Sequence, residues 1–333
     1  MSLISSRSSR SKSVFDKWQP AGIVISVLAL ASGCASNVGN MLAELEHQGE
    51  SVELIDVPFH PQFTDQCGPA ALATILNSAD ISVVPEELTS RVYIPDREGS
   101  LQLELLAATR HYGRIPYVID PDLNAIVSEL ESGRPVLIMQ NLGARLMPIW
   151  HYAVVVGYLP SEQQFVLRSA DKQRLLMSSR KLLRTWQRAD NWAIVALQPG
   201  DLPANAIAER YLRTVAAIEA MGDSENAVTA YRIATDQWPE NNLAWLGLGN
   251  ALYANGDLQS ARSAYRKVLE IEPEHTIALN NLSQVYAEMG CRDDALETIH
   301  SALSAVNAGD PMHRYLTRTM HEVTKSSAVS RCL

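Results

Sequence analysis

The sequence has 333 residues, of which 47% are hydrophobic, so it is long enough to form two domains with buried cores. Its formal net charge is -9 and no long basic run follows the first segment, which argues against nucleic acid as a partner. Four cysteines are too few and too scattered for a disulfide framework or a zinc site, although a Cys291–Cys332 bond stays open. We therefore expect no metal and no other cofactor.

Residues 1–33 have the pattern of an export signal, with a basic front and an apolar run that is too short to span a bilayer. The run ends in Leu30-Ala31-Ser32-Gly33-Cys34, which resembles the lipobox of bacterial lipoproteins. The resemblance implies cleavage before Cys34 and lipidation of its thiol. Because Ala35 is not aspartate, it also implies an anchor in the outer membrane, facing the periplasm. A plain signal peptide with an incidental cysteine is the alternative, and residues 34–50 are predicted to be a tether.

The first candidate site lies around Cys67. Gly68-Pro69 and a run of small and apolar residues follow it, which predicts a buried helix with proline in its first turn. A cysteine at a helix N-terminus is favoured as a thiolate nucleophile by the helix dipole and the free backbone N–H groups. Gln62, five residues upstream, could donate its amide to an oxyanion, and Gln66 is the fallback donor. A buried, inert cysteine is the alternative.

Helices and strands alternate from residue 51 to about residue 200, which predicts an α+β domain. We expect its first strand over Val52–Val57 and a helix over Ser100–Ala108 with Ser100 as its N-cap. The domain is predicted to end in a linker at residues 199–203.

His151 opens a predicted strand that is otherwise apolar, and a core histidine there is the simpler interpretation. A thiol nucleophile, however, needs an imidazole to take its proton and later to protonate the leaving amine. An acceptor for the second imidazole nitrogen should come from the end of the next strand. Asp171 has the best chemistry for this role, and Ser169 is the nearer residue.

Residues 51–198 resemble the papain-like cysteine peptidases that process bacteriocin leaders, the thirty-ninth family of the cysteine class. The resemblance rests on Pro61-Gln62, on Asp65-Gln66-Cys67-Gly68-Pro69-Ala70-Ala71-Leu72 and on His151-Tyr152-Ala153-Val154-Val155-Val156-Gly157. It implies Cys67 as nucleophile, His151 as general base and Gln62 as oxyanion donor. The family usually has an aspartate followed by proline where this chain reads Arg168-Ser169-Ala170-Asp171-Lys172.

From about residue 205 the chain is helical and repeats with a period of 34 residues, as the glycines at 222, 256 and 290 show. Alanines at 227, 261 and 295 keep the same period. The pattern resembles tetratricopeptide repeats, which implies an all-α solenoid over residues 205–316 with a concave face for a peptide or protein. A stabilising appendage is the alternative. Residues 317–333 are predicted to be a capping helix and tail.

Together these patterns predict an outer-membrane lipoprotein with cysteine peptidase activity, whose repeats hold a substrate or partner protein. Two alternatives stay open. One is cell-wall peptide hydrolysis or acyl transfer by the same cysteine. The other is a non-catalytic docking lipoprotein in which the repeats are the working part.

Overall fold

The computed structural model describes Leu42, Leu45 and residues 50–61 and 66–325. The predicted export signal, Cys34, most of the tether, Gln62 and Cys332 lie outside the described residues. Within the described part, no helix combines the length and hydropathy needed to cross a bilayer.

The α+β domain is built on a seven-stranded antiparallel sheet in the order β4-β9-β5-β6-β7-β8, with β1 paired to β6. A separate two-stranded hairpin, β2 with β3, lies outside this sheet. The strands are β1 Val52–Glu53, β2 Tyr93–Ile94, β3 Gly99–Ser100, β4 Ile115–Val118, β5 Val136–Asn141, β6 Trp150–Leu159, β7 Gln164–Ser169, β8 Lys172–Ser178 and β9 Ala193–Leu197.

Five helices belong to this domain and seven follow it within the described range, which confirms the predicted α+β domain followed by an all-α repeat region. The first five are α1 Cys67–Ser78, α2 Pro85–Val92, α3 Gln102–His111, α4 Leu123–Glu131 and α5 Ser179–Gln187. The next seven are α6 Ala208–Glu219, α7 Ser224–Gln237, α8 Asn242–Ala254, α9 Leu258–Ile271, α10 Thr276–Glu288, α11 Arg292–Ser304 and α12 Pro311–Lys325.

The two faces of β6 contribute to two different cores, because successive side chains of a strand point to opposite faces. Tyr152, Val154 and Val156 join the core that contains the apolar side of α1. Ala153 and Val155 join a second core that continues into α4, α5 and the repeat helices. The helix that begins at Cys67 is therefore packed on one face of the strand that carries His151.

Two of the predicted elements are wrong in extent. The strand predicted over Val52–Val57 ends at Glu53, because the carbonyls of Ile55 and Val57 accept hydrogen bonds from the buried guanidinium of Arg168 instead of from a neighbouring strand. Ser100 is not a helix cap. It lies in β3 and its carbonyl accepts the Tyr152 hydroxyl at 3.1 Å, so α3 begins two residues later.

The repeat helices pack as antiparallel neighbours, and the three glycines of the 34-residue period close the turns with φ between 78° and 85°. Only glycine adopts such angles without strain. Gly249 lies inside α8, where an added Cβ would come within 2.5 Å of the Tyr265 ring, so the small residue allows close approach of α9.

The capping helix begins at Pro311, earlier than the predicted position 317. Cys291 is disulfide-bonded, whereas Cys67 carries a thiol that is not part of a disulfide.

The junction between the domains is an ordered contact. Glu129, which is buried, accepts the backbone N–H of Ala204 at 2.8 Å and pairs with Arg134 at 2.6 Å. Arg210 of α6 pairs with Asp120 at 2.7 Å and lies over the ring of Tyr117. The repeats are thus fastened to the edge of the sheet by a buried contact at Glu129, by a half-exposed ion pair at Arg210 and by one continuous core.

Candidate active site

Cys67 is the first residue of α1 and is partly exposed. Gln66 holds the N-cap position without a side-chain capping bond, and the first backbone bond of the helix joins the Ala70 N–H to the Gln66 carbonyl at 3.1 Å. The backbone N–H groups of Cys67 and Gly68 have no acceptor within the helix and face its N-terminal end, and Pro69 has no N–H. The thiol therefore lies beside these two backbone donors and the positive end of the helix dipole.

Gly68 is required by close contact with the neighbouring β2–β3 hairpin. A Cβ at this position would lie 2.3 Å from the Ser100 hydroxyl oxygen and 2.6 Å from its Cβ. The Ser100 hydroxyl is itself buried without a hydrogen-bond partner. The start of α1 thus fits against β3 only because residue 68 has no side chain.

His151 is the second residue of β6 and lies opposite Gln140 of β5. Its Nε2 is 2.8 Å from the Ser169 hydroxyl oxygen. Burial of the imidazole lowers the pKa of His151, since the charged form loses hydration. A neutral ring is thus favoured near neutral pH.

Ser169 ends β7 and is 5% exposed. The pairing of β7 with β8 shifts register between Leu167 and Ser169. Such irregularities re-aim side chains at strand ends. The shift lies at the residue whose hydroxyl meets His151.

Asp171 lies in the turn between β7 and β8, and 67% of its side chain is exposed. Its carboxylate is paired with the neighbouring Lys172 at 3.0 Å, and this hydrogen bond lowers the pKa of Asp171. Of the two predicted acceptors, the structure brings Ser169 to the imidazole and leaves Asp171 in solvent. The physical reason is the tight turn, in which the residue two positions beyond Ser169 has already left the strand.

Cys67 and His151 both line one cleft of about 1020 Å³. Gln66 lines it as well and is exposed, so the fallback oxyanion donor is placed at the site. The segments 97–102 and 148–150 both contribute to its lining. Tyr152 closes the cleft from the core side, and burial raises the pKa of its phenol well above its usual range. Nowhere in the described residues do three histidine, cysteine or acidic side chains group as metal ligands.

Two features of the cleft escaped the sequence analysis. The contact of Ser100 with Gly68 joins parts of the chain that no local pattern links. The apolar segment before His151 is the second feature, and no role in the site was predicted for it. Its succession of large apolar residues between two predicted strands was the signal that could have identified a wall of the site.

Comparison with known protein families supports the two-part architecture. Residues 54–193 match the family described as Peptidase_C39 like family, and residues 219–276 and 252–317 each match a tetratricopeptide repeat family. The resemblance to papain-like peptidases of this type, followed by tetratricopeptide repeats, is therefore confirmed. A search of curated proteins finds no match.

Solved structures resemble each part separately. A C39-like peptidase from Bacillus anthracis is 18% identical, and the match covers 45% of this chain and 98% of that one with a TM-score of 0.39. The TPR2B domain of yeast Sti1, in a complex with pHsp70, is 21% identical over 35% of this chain and 96% of its own, with a TM-score of 0.34. The type III secretion chaperone SycD of Yersinia enterocolitica is 14% identical over 35% of this chain and 82% of its own, with a TM-score of 0.33.

Proposed function

We propose that the protein is a cysteine peptidase that hydrolyses peptide bonds with Cys67 as nucleophile and His151 as general base. The observation that carries the proposal is the placement of both side chains on one cleft, with the thiol at a helix N-terminus and the imidazole held by a buried hydroxyl. The match of residues 54–193 to a peptidase family supports the reaction class.

The contact at Nε2 supports one route of proton transfer. When Nε2–H donates to the Ser169 hydroxyl oxygen, Nδ1 carries the lone pair and accepts the proton of the Cys67 thiol. The sulfur then forms a bond to the substrate carbonyl carbon, and the carbonyl oxygen takes the negative charge. The first-turn amides of α1 donate to that oxyanion, with Gln62 or Gln66 as the side-chain donor.

Collapse of this intermediate breaks the carbon–nitrogen bond, and the amine leaves with the proton that His151 returns. The thioester on Cys67 is hydrolysed by a water that gives its proton to Nδ1. Release of the carboxylic acid restores the thiol. The substrate class is thus proteins and peptides, and no step of this mechanism uses a cofactor.

The test is alkylation of Cys67 by limiting iodoacetamide between pH 5 and 9, followed by mass spectrometry. We expect Cys67 in the unaltered protein to react at least about 10-fold faster near pH 6.5 than in a His151→Ala variant, because the imidazole removes the thiol proton. The variant should need a higher pH than the unaltered protein to react at the same rate, because only the helix N-terminus is then left to favour the thiolate. Equal profiles for the two proteins would refute the pair and favour a docking function of the repeats.

We further propose that the repeats hold a protein substrate or partner and that a lipid on Cys34 anchors the chain to the outer membrane, facing the periplasm. The sequence around Cys34 and the repeat architecture support this arrangement. In a bacterial host fed an alkyne fatty acid, the protein should be labelled and should fractionate with the outer membrane. Cys34→Ser is expected to lose both properties, and Cys332→Ser to keep them. Retention of the label by Cys34→Ser would exclude this anchor.

A further inference from the structure

The loop between β5 and β6 carries an unusual density of exposed apolar side chains. Leu146 is 95% exposed, Met147 75%, Ile149 61% and Trp150, which begins β6, 51%. We call residues 142–150 the apolar loop. Exposing so much apolar surface to water costs free energy, and a bound partner that covers the segment would recover it.

The exposure does not come from a loosely held backbone. The Asn141 side-chain oxygen accepts the N–H groups of Gly143 and Ile149, both at 3.0 Å, and the Leu142 N–H meets the Ile149 carbonyl at 2.8 Å. The Arg188 guanidinium donates to the Gly143 carbonyl. The Met147 N–H donates to the Ala144 carbonyl at 3.1 Å. The loop therefore has a fixed shape that presents its apolar side chains to solvent. Because the backbone is already ordered, binding a partner costs little conformational entropy.

The apolar surface continues into the proposed catalytic cleft. Pro148, Ile149 and Trp150 form one wall of the cleft that Cys67 and His151 line. Leu101, 37% exposed, lines the same cleft, and the exposed Leu103 follows it at the start of α3. A chain that reaches the thiol therefore enters a cleft whose lining combines these apolar side chains with the polar residues Arg97, Glu98, Gln102 and Asp190.

We propose that the apolar loop and Leu101 bind an apolar stretch of the substrate polypeptide beside the bond that is cleaved. This rests on the proposed peptidase function and names its substrate class as unfolded or extended segments rich in large aliphatic or aromatic residues. Continuity of the loop with the cleft favours a polypeptide over a membrane as the occupant.

The experiment uses the full-length protein and a peptide library made by digesting a whole proteome with trypsin, with cleavage sites identified by mass spectrometry. We expect cleaved sites to be enriched in leucine, isoleucine, methionine, phenylalanine or tryptophan within four residues of the bond. Ile149→Ser and the double variant Leu146→Ser/Met147→Ser should each lower kcat/KM for those peptides about 10- to 100-fold, as expected for loss of an apolar contact. The matched control is Ile55→Ser, which removes an equally exposed side chain (72%) that does not line the cleft.

Iodoacetamide alkylation of Cys67 separates this inference from the proposed function. The alkylation rate of each loop variant shows whether its Cys67–His151 pair is intact. A fall in kcat/KM is assigned to the lost apolar contact only in a variant that keeps the alkylation rate of the parent. If no library peptide is cleaved, the proposed function fails. Binding of fluorescent apolar peptides to the Cys67→Ala protein then tests whether the apolar loop binds apolar polypeptide. Selective loss of that binding in the loop variants would support it.

Any of three results would overturn the inference. The first is a site profile without apolar enrichment, and the second is equal kcat/KM values in the loop variants and the parent. The third is loss of binding to vesicles of phosphatidylethanolamine and phosphatidylglycerol in the Leu146→Ser/Met147→Ser variant while cleavage stays unchanged. The third result would identify a membrane as the partner of the apolar loop.

Discussion

Replacing His151 with alanine is expected to lower kcat/KM for peptide hydrolysis by about 10⁴-fold, because no other base then takes the thiol proton or protonates the leaving amine. Ser169→Ala should lower it by about 10- to 100-fold, since the imidazole stays in place but loses the contact that fixes its ring and its tautomer. Asp171→Ala should leave it unchanged, because that carboxylate is in solvent and paired with Lys172. The measurement is steady-state hydrolysis of one library peptide by all three variants.

The pH profile distinguishes a positioning hydroxyl from a merely structural one. Burial lowers the pKa of His151 below that of a free imidazole, about 6.5, so the neutral, proton-accepting ring persists as the pH falls, and the acid limb of kcat/KM should lie below that pH. Ser169→Asp places a carboxylate beside Nε2, which favours the imidazolium and should move that limb to higher pH. Ser169→Thr keeps a hydroxyl and should recover most of the activity lost in Ser169→Ala. An acid limb that does not move in Ser169→Asp would show that residue 169 is not coupled to His151.

The lowered pKa of His151 also makes the folding stability depend on pH. The unfolded chain binds a proton at His151 near pH 6.5, whereas the folded chain binds it only at lower pH. The contribution of His151 to stability is therefore fully present above the unfolded value and declines as the pH falls below it. In the His151→Ala variant this part of the pH dependence should disappear.

Substituting Gly68 with alanine is expected to lower the free energy of unfolding by about 1–3 kcal/mol and to slow Cys67 alkylation at least about 10-fold. The new Cβ would overlap the side chain of Ser100, so either the start of α1 or strand β3 must move. Both elements line the cleft, and the displacement therefore reaches the thiol. Urea denaturation and iodoacetamide kinetics measure the two effects.

Two further variants show whether steric overlap is the cause. Gly200→Ala is the matched control, because nothing lies within 4 Å of its added Cβ and its φ is not positive, so stability should change by less than about 0.5 kcal/mol. In the Gly68→Ala background, Ser100→Gly should restore both stability and alkylation. Ser100→Ala should not restore them, since the Cβ that remains still lies 2.6 Å from the added atom. Full restoration by Ser100→Ala would mean that the Ser100 hydroxyl, and not its Cβ, was in conflict.

Much of this molecule could be predicted from local sequence patterns. The helix at Cys67 follows from a proline in the first turn and small residues after it, and β6 follows from the apolar run after His151. The 34-residue period specified the repeat helices, because each glycine must close a turn with positive φ. These features depend on residues that are close together in the chain.

The contacts that shape the cleft were decided only by the tertiary structure. The choice between Ser169 and Asp171 depends on where β7 ends and on a register shift, and neither is encoded in spacing alone. Strand β1 was shorter than predicted because Arg168, more than 100 positions away, takes its backbone acceptors. The pairing of Gly68 with Ser100 and the exposure of the apolar loop likewise depend on distant segments meeting. The sequence by itself determined the kinds of element and the candidate nucleophile and base, since those depend on local chemistry. The hydrogen-bond partner of each side chain, and whether that side chain is exposed or buried, depend on long-range packing. Only the folded chain establishes them.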